Sequence, residues 1–176
     1  SANHLQNKKF ALDIIRLAKE SGADAVKLQT YRPDTITLDS NKEDFLIKKN
    51  SPWAKYNSRY KLFEKTYLPW EWHLELFEFA KKINIDIFSA PFDTTAVDLL
   101  EDFNPCAYKI ASPEITDIGL IKRCIKTNKP LILSLGYADL NDIYLLEELF
   151  KEKEFNKYIY LKCSAEYPAP INDLNL

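Results

Sequence analysis

Few of the residues that common nucleotide and metal sites require occur in this sequence. Its 176 residues include three glycines (Gly22, Gly119 and Gly136), two histidines (His4 and His73) and no methionine. No pair of glycines has the spacing of a dinucleotide-binding loop, a Walker A loop or a nucleophile elbow. Two histidines also argue against a zinc site with two or three histidine ligands inside the chain. The composition therefore disfavours most nucleotide-binding and hydrolase classes.

Cysteine usage and charge indicate a cellular compartment. The three cysteines (Cys106, Cys124 and Cys163) are odd in number and widely spaced, which argues against a disulfide framework and for a reducing cytosol. The 24 basic and 26 acidic residues nearly cancel, so no bulk charge attracts nucleic acid or a membrane. No apolar run approaches the ~18–20 residues of a membrane span, and no basic and apolar leader precedes the first helix. We therefore expect a cytoplasmic globular protein that binds neither nucleic acid nor membrane.

One repeating pattern runs along the chain, an amphipathic helix-length stretch followed by a short apolar run. The pattern predicts helices over residues 10–20, 71–83, 93–102, 116–127 and 141–152, and strands over 23–29, 86–89, 106–110, 130–134 and 158–162. Strands that are apolar on both faces and alternate with helices indicate a parallel α/β sheet. A complete (β/α)8 TIM barrel needs about 250 residues. Five strands therefore favour a partial barrel, although the pattern alone leaves a doubly wound sheet open.

Residues 31–69 interrupt this alternation of predicted helices and strands. The segment is rich in Lys and Tyr, contains Pro33, Pro52 and Pro69, and follows a predicted strand. Loops that follow barrel strands face the active site, so we expect a long insertion loop that acts as a lid or a substrate wall. A surface insertion without a role is the alternative.

Polar side chains stand where the predicted strands end. They are Lys27, Gln29, Ser89, Lys109, Ser112, Ser134, Lys162 and Ser164. The carboxyl ends of parallel barrel strands meet at one rim. Because lysine is rarely buried without a partner, Lys27 and Lys109 inside apolar strands require an anionic ligand or an internal acid such as Glu114. Two ammonium groups beside serine hydroxyls suit a ligand with a phosphate and a carboxylate. The alternatives are capping roles for the serines and packing for His73.

Six segments together resemble the sialic acid synthase family. They are SANH (1–4), GADAVKLQTY (22–31), FSAPFD (88–93), AYKIASPEITD (107–117), LSLG (133–136) and LKCSAEYPAP (161–170). Two further segments, LDSNKEDFLIK (38–48) and PWEWH (69–73), are most similar to the pseudaminic acid synthases within that family. The resemblance implies a (β/α)8 barrel followed by a small antifreeze-like domain. Residues 1–176 would then form one truncated barrel domain that covers about strands 2–6.

The resemblance also implies a reaction, the condensation of phosphoenolpyruvate with an acylamino sugar to a nonulosonic acid with release of phosphate. By this resemblance Lys27, Lys109, Ser112 and Ser134 hold phosphoenolpyruvate. Gln29, Glu114 and Tyr167 line the sugar or support the site, and Asn3 and His4 lie in a loop beside it. His4 and Glu114 are the candidate catalytic residues, and Ser89 joins the substrate-binding set. The family's divalent metal, Mn²⁺ or Mg²⁺, would take its ligands from outside this chain, and the full-length enzyme would be a homodimer.

The chain departs from the family's motifs at Ala90, Pro113, Leu135 and Ala165. These departures put the affinity for phosphoenolpyruvate in question. Two other functions also stay open. One is a Schiff-base aldolase, in which a desolvated Lys162 attacks a carbonyl substrate without metal. The other is a fragment that binds an anionic sugar and catalyses nothing.

Overall fold

Five parallel strands form one sheet in a computed structural model of the chain, which describes residues 2–164 and 169–173. The strands are β1 (Ala25–Thr30), β2 (Asp86–Pro91), β3 (Tyr108–Ile110), β4 (Leu131–Ser134) and β5 (Tyr158–Leu161). Their order in the sheet is the order along the chain. In a doubly wound sheet the spatial order of the strands reverses at a switch point, whereas in a barrel the strands follow one another in chain order. The prediction of a partial β/α barrel is therefore confirmed.

One helix precedes β1, and the others lie in the connections between the described strands. The helices are α1 (Lys8–Glu20), α2 (Pro33–Ile36), α3 (Arg59–Thr66), α4 (His73–Lys82), α5 (Thr94–Glu101), α6 (Ile118–Ile125) and α7 (Leu140–Glu152). Side chains of Asn7, Asp93, Asp117 and Asp139 accept hydrogen bonds from the first free backbone N–H groups of α1, α5, α6 and α7. Each cap satisfies donors that a helix start leaves unpaired. No helix in the described part of the chain is long and apolar enough to cross a membrane.

Residues 31–69, predicted as a long insertion loop, contain secondary structure that the sequence pattern did not indicate. They contain α2, α3 and short 3-10 turns at Glu43–Phe45 and Ala54–Tyr56. Tyr31, which is almost fully buried, packs edge-on against Phe63 of α3 and Phe92 after β2. The Tyr31 hydroxyl also lies 3.1 Å from the hydroxyl of Thr66. The insertion is therefore packed against the end of the sheet.

The two faces of the sheet differ in character. Tyr108, Leu131 and Leu133 are fully buried beneath the helices, and the Tyr108 hydroxyl donates to Glu101 of α5 over 2.7 Å. Neighbouring residues along a strand point to opposite faces. Lys109 therefore lies on the other, concave face with its register partner Ile132. This concave face holds the polar strand-end residues described below.

His73, at the start of α4, confirms the packing interpretation. It is completely buried, and its ring stacks on Phe103 with 6.2 Å between centroids. Burial lowers the pKa of His73 from 6.5 to about 4, because a charged ring would lose its hydration. His73 is therefore neutral in the folded protein at pH 7.

Acid should destabilise the fold through His73. Between pH 6.5 and about 4 the unfolded chain binds a proton at His73 that the folded chain does not, so the free energy of unfolding falls as the pH falls. The full shift corresponds to about 3 kcal/mol. Denaturant unfolding of the wild type and His73→Gln at pH 7 and pH 4.5 measures it, and the variant should lose less stability over this interval. The same pH dependence in both proteins would contradict the assignment.

Candidate anion-binding site

Lys109 is the centre of the concave face. It extends from β3 and is only 9% exposed. Its Nζ donates a hydrogen bond to the backbone carbonyl of Ile110 over 3.2 Å and another to Oγ of Ser134 at the end of β4. None of the ion pairs within residues 2–164 and 169–173 includes Lys109 or Lys27. The buried ammonium group is thus hydrogen-bonded, and no carboxylate of the described residues forms an ion pair with it.

Lys27 adds a second positive charge to the same face. Its register partner is Phe88, and β2 lies between the strands of the two lysines. Burial is the first cause that lowers the pKa of Lys109, and the charge of Lys27 is the second. The two ammonium groups are therefore close enough to repel each other, which an anion between them would relieve. Lys27 is exposed rather than buried as the sequence predicted, because the concave face is open at β1.

Three chain segments meet closely beside Ser134. The backbone N–H of Gly136 donates to Oγ of Ser112 over 3.1 Å. A side chain at Gly136 would place its Cβ 2.8 Å from that oxygen and 3.2 Å from Cβ of Cys163. Only glycine fits here without a shift of its neighbours. Sequence reasoning missed Gly136 and Cys163 as parts of the site, since the LSLG and LKCS segments carry no charge that marks them.

Glu114 lies in the 3-10 turn Ser112–Thr116 that follows β3. Its Oε2 atom is buried and has no hydrogen-bond partner. Burial raises the pKa of Glu114 from 4.5 to about 7, although the positive charge of Lys109 favours the ionised form. A carboxyl group that titrates near neutral pH can both donate and accept a proton. The structure therefore places a buried carboxyl group with a raised pKa near Lys109.

Asn3 and His4 lie beside β1, where it borders α1. They line a cavity of about 90 Å³ with Lys27 and Gln29, and side chains of α1 such as Ala11 and Ile15 form another wall. His4 is buried, and its Nδ1 accepts from the backbone N–H of Gln6 over 3.1 Å, whereas Nε2 has no partner. Burial lowers the pKa of His4, so the ring is neutral at pH 7. The structure thus places Asn3, His4 and Gln29 beside Lys27. It places Ser134 and Glu114 near Lys109 and Ser112 beside Gly136.

Two predicted residues, Ser89 and Lys162, do not join this site. Ser89 is completely buried on the helix-facing side of β2, where its hydroxyl lies 2.7 Å from that of Thr30. We correct its assignment, because strand alternation turns Ala90 and not Ser89 to the concave face. Lys162 follows β5 and is exposed, so it lacks the desolvation that a Schiff-base lysine needs. Tyr167 lies outside the described residues.

A metal site is not found among these residues. No group of three or more His, Cys, Asp or Glu side chains that could hold a metal ion occurs in the part of the chain that the structure describes. His4, the histidine nearest to Lys27, contacts Trp72 edge-on at 5.7 Å between ring centroids. The donors present therefore do not fit a divalent metal.

Comparison with known proteins identifies the family. The NeuB family model matches residues 14–176, so the chain belongs to the NeuB family. Pseudaminic acid synthases of Campylobacter jejuni and Helicobacter pylori are each 44% identical over 176 residues, which is all of this chain and 51% of each relative. An N,N'-diacetyllegionaminic acid synthase of Campylobacter jejuni is 37% identical over 99% of this chain and 52% of its own length. The chain thus spans about half the length of these relatives.

Solved structures agree with this assignment. The N-acetylneuraminic acid synthetase of Leptospira borgpetersenii, in complex with citrate, superposes with a TM-score of 0.83 at 28% identity and covers 99% of this chain and 55% of that one. A truncated 3-deoxy-D-arabino-heptulosonate 7-phosphate synthase of Thermotoga maritima has a TM-score of 0.57 at 15% identity, covering 89% and 46% of the two chains. The second likeness concerns the fold alone.

Replacement of Gly136 should disturb the site. We expect Gly136→Ala to lower the free energy of unfolding by about 1–3 kcal/mol, the usual cost of forcing extra atoms into a packed region. Gly119→Ala in α6 is the matched control, because its Cβ would meet only the Asp117 side chain at 3.2 Å and alanine favours helices. Denaturant unfolding of both variants gives the comparison. Equal stabilities of the two variants would show that the close approach at Gly136 is unimportant.

Proposed function

We propose that this NeuB-family chain carries the phosphoenolpyruvate-binding part of an enzyme that condenses phosphoenolpyruvate with an acylamino sugar. The product would be a nonulosonic acid of the pseudaminic or sialic type, and phosphate would be released. One observation carries the proposal: Lys109 is buried, forms no ion pair with a carboxylate of the described residues, and shares its face with Lys27. The names of the relatives, pseudaminic and N,N'-diacetyllegionaminic acid synthases, supply the product class.

Phosphoenolpyruvate matches the charge and the hydrogen-bonding groups of this face. It carries a phosphate and a carboxylate, and the face offers two ammonium groups. The Ser134 hydroxyl holds the Lys109 ammonium group in place, and Ser112 lies beside Gly136 at the same rim. A hydrogen bond from a charged donor contributes about 1.5–3 kcal/mol. The lysines would therefore supply most of the affinity for the anion.

The reaction joins two carbon atoms and breaks one carbon–oxygen bond. The methylene carbon of phosphoenolpyruvate attacks the aldehyde carbon of the open-chain sugar, and the aldehyde oxygen takes up a proton. Water adds to the neighbouring carbon of phosphoenolpyruvate, the bond from that carbon to the phosphate oxygen breaks, and a keto acid and phosphate remain. The negative charges of the phosphate and carboxylate persist throughout. Lys27 and Lys109 would therefore mainly bind and orient the substrate.

Glu114 is the candidate proton carrier in this scheme. Its Oε2 atom is uncommitted, and its pKa of about 7 leaves it partly protonated at neutral pH. The protonated form can give its proton to the aldehyde oxygen as the carbon–carbon bond forms. His4, buried and neutral beside Lys27, would orient a ligand rather than neutralise charge. The divalent metal that the family resemblance implies, Mn²⁺ or Mg²⁺, would take its ligands from outside this chain.

Removal of Lys109 should weaken anion binding. In the full-length protein we expect Lys109→Ala to weaken phosphoenolpyruvate binding by about tenfold or more, because one charged hydrogen-bond donor is lost. Calorimetric titration with phosphoenolpyruvate and the rate of phosphate release measure the effect. Lys126→Ala, which removes an exposed lysine at the end of α6, is the charge-matched control. Unchanged affinity in Lys109→Ala would remove Lys109 from the site.

The pH dependence of turnover should report Glu114. Because burial raises its pKa to about 7, loss of the acid form should lower kcat as the pH rises from 6 to 8. We expect Glu114→Gln to have a lower kcat that no longer changes over this interval. Rates of phosphate release at saturating substrate give both profiles. An identical pH profile in the variant would assign the proton transfer to another group.

A further inference from the structure

A buried row of three polar side chains lies behind the site, on the helix-facing side of the sheet. Thr30, His73 and Ser89 are each completely buried. The Thr30 hydroxyl oxygen is 2.9 Å from Nε2 of His73 and 2.7 Å from the hydroxyl oxygen of Ser89. The row therefore joins the carboxyl end of β1, the middle of β2 and the first residue of α4.

The partners of His73 determine where each proton lies. Nδ1 is 3.2 Å from the backbone carbonyl of Trp70, which can only accept, so Nδ1 carries the proton and donates. Burial lowers the pKa of His73 to about 4, so the ring is neutral and Nε2 accepts from the Thr30 hydroxyl. Thr30 has then used its only proton and must accept from Ser89. Every donor in the row has a partner.

Neighbouring residues also hold the backbone at the end of β1. Nε1 of Trp70 donates to the carbonyl of Tyr31 over 3.2 Å, and the carbonyl of Thr30 accepts from the N–H of Phe92 over 3.2 Å. In the described sheet β1 pairs with β2 on one side only. Side-chain hydrogen bonds therefore add to the strand pairing at the position where β1 ends.

These contacts lie directly behind two candidate ligand-binding residues. Gln29 immediately precedes Thr30, and Lys27 lies two residues further back on the concave face. A shift of β1 along β2 would move both side chains relative to Lys109. Such small displacements of binding groups are costly to an enzyme.

We propose that His73 is a positioning residue, which through Thr30 and Ser89 fixes β1 against β2 and so sets Lys27 and Gln29 at the correct distance from Lys109. The kinetic consequence rests on the proposed function, whereas the proton arrangement and the anchoring of β1 do not. The side-chain row is therefore tested both with and without substrate.

Kinetics of a matched pair of variants test the positioning role in the full-length protein. Thr30→Val keeps the shape and removes the hydroxyl, and Thr30→Ser keeps the hydroxyl. We expect Thr30→Val to raise the KM for phosphoenolpyruvate about five- to tenfold, the effect of one lost hydrogen bond, with a smaller change in kcat. Thr30→Ser should retain the wild-type KM.

If Thr30→Val does not fold, Ser89→Ala removes the donor at the other end of the row and should raise the KM in the same way. An unchanged KM in the folded hydroxyl-free variant overturns the proposal.

Nuclear magnetic resonance tests the row without any substrate. We expect ¹⁵N shifts typical of a protonated Nδ1 and an unprotonated Nε2 in His73 at pH 7. The amide of Phe92, which donates to Thr30, should exchange with solvent faster in Thr30→Val than in Thr30→Ser. A proton on Nε2, or equal exchange in the two variants, overturns the anchoring even if the protein shows no phosphoenolpyruvate-dependent activity. The expected shifts and exchange in a protein without that activity would support the anchoring and contradict the proposed function instead.

Discussion

The buried charge of Lys109 is the constraint on which the rest of the site depends. An ammonium group removed from water is costly unless it is hydrogen-bonded and neutralised. The chain provides the hydrogen bonds, from Ser134 and the Ile110 carbonyl, but no described carboxylate forms an ion pair with it. Lys27 increases the cost because it carries the same charge on the same face. A site built in this way gains stability when an anion binds between the two lysines.

Contacts on both faces of the sheet hold the residues of this site in position. In front, Gly136 allows the segment after β4 to approach Ser112 and Cys163 within distances that any side chain would prevent. Behind the sheet, the hydrogen-bonded row from Ser89 through Thr30 to His73 joins β1, β2 and α4. The polar groups of this row behind the sheet are buried and paired, whereas Lys109 in front forms no ion pair with a described carboxylate. This difference separates the structural face from the binding face.

Much of this arrangement can be read from the sequence, because strand ends in a parallel sheet converge. The alternation of helices and strands identified the β/α order, and Lys109 with Ser134 follows from their places at the ends of β3 and β4. Ser89 could not be assigned in the same way. Its direction depends on the register of β2 against β3, where Ser89 pairs with the helix-facing Tyr108, and register is a tertiary property. The packed helix α3 within residues 31–69 was also missed, since its stability comes from contacts with Tyr31 rather than from a strong periodic pattern.

A crystal structure of the full-length protein with phosphoenolpyruvate tests the central claim most directly. The account predicts one bound molecule on the concave face, with its phosphate and carboxylate oxygens within hydrogen-bond distance of Nζ of Lys109 and Nζ of Lys27. A phosphoenolpyruvate molecule bound elsewhere, or a carboxylate of the protein itself paired with Lys109, would contradict it.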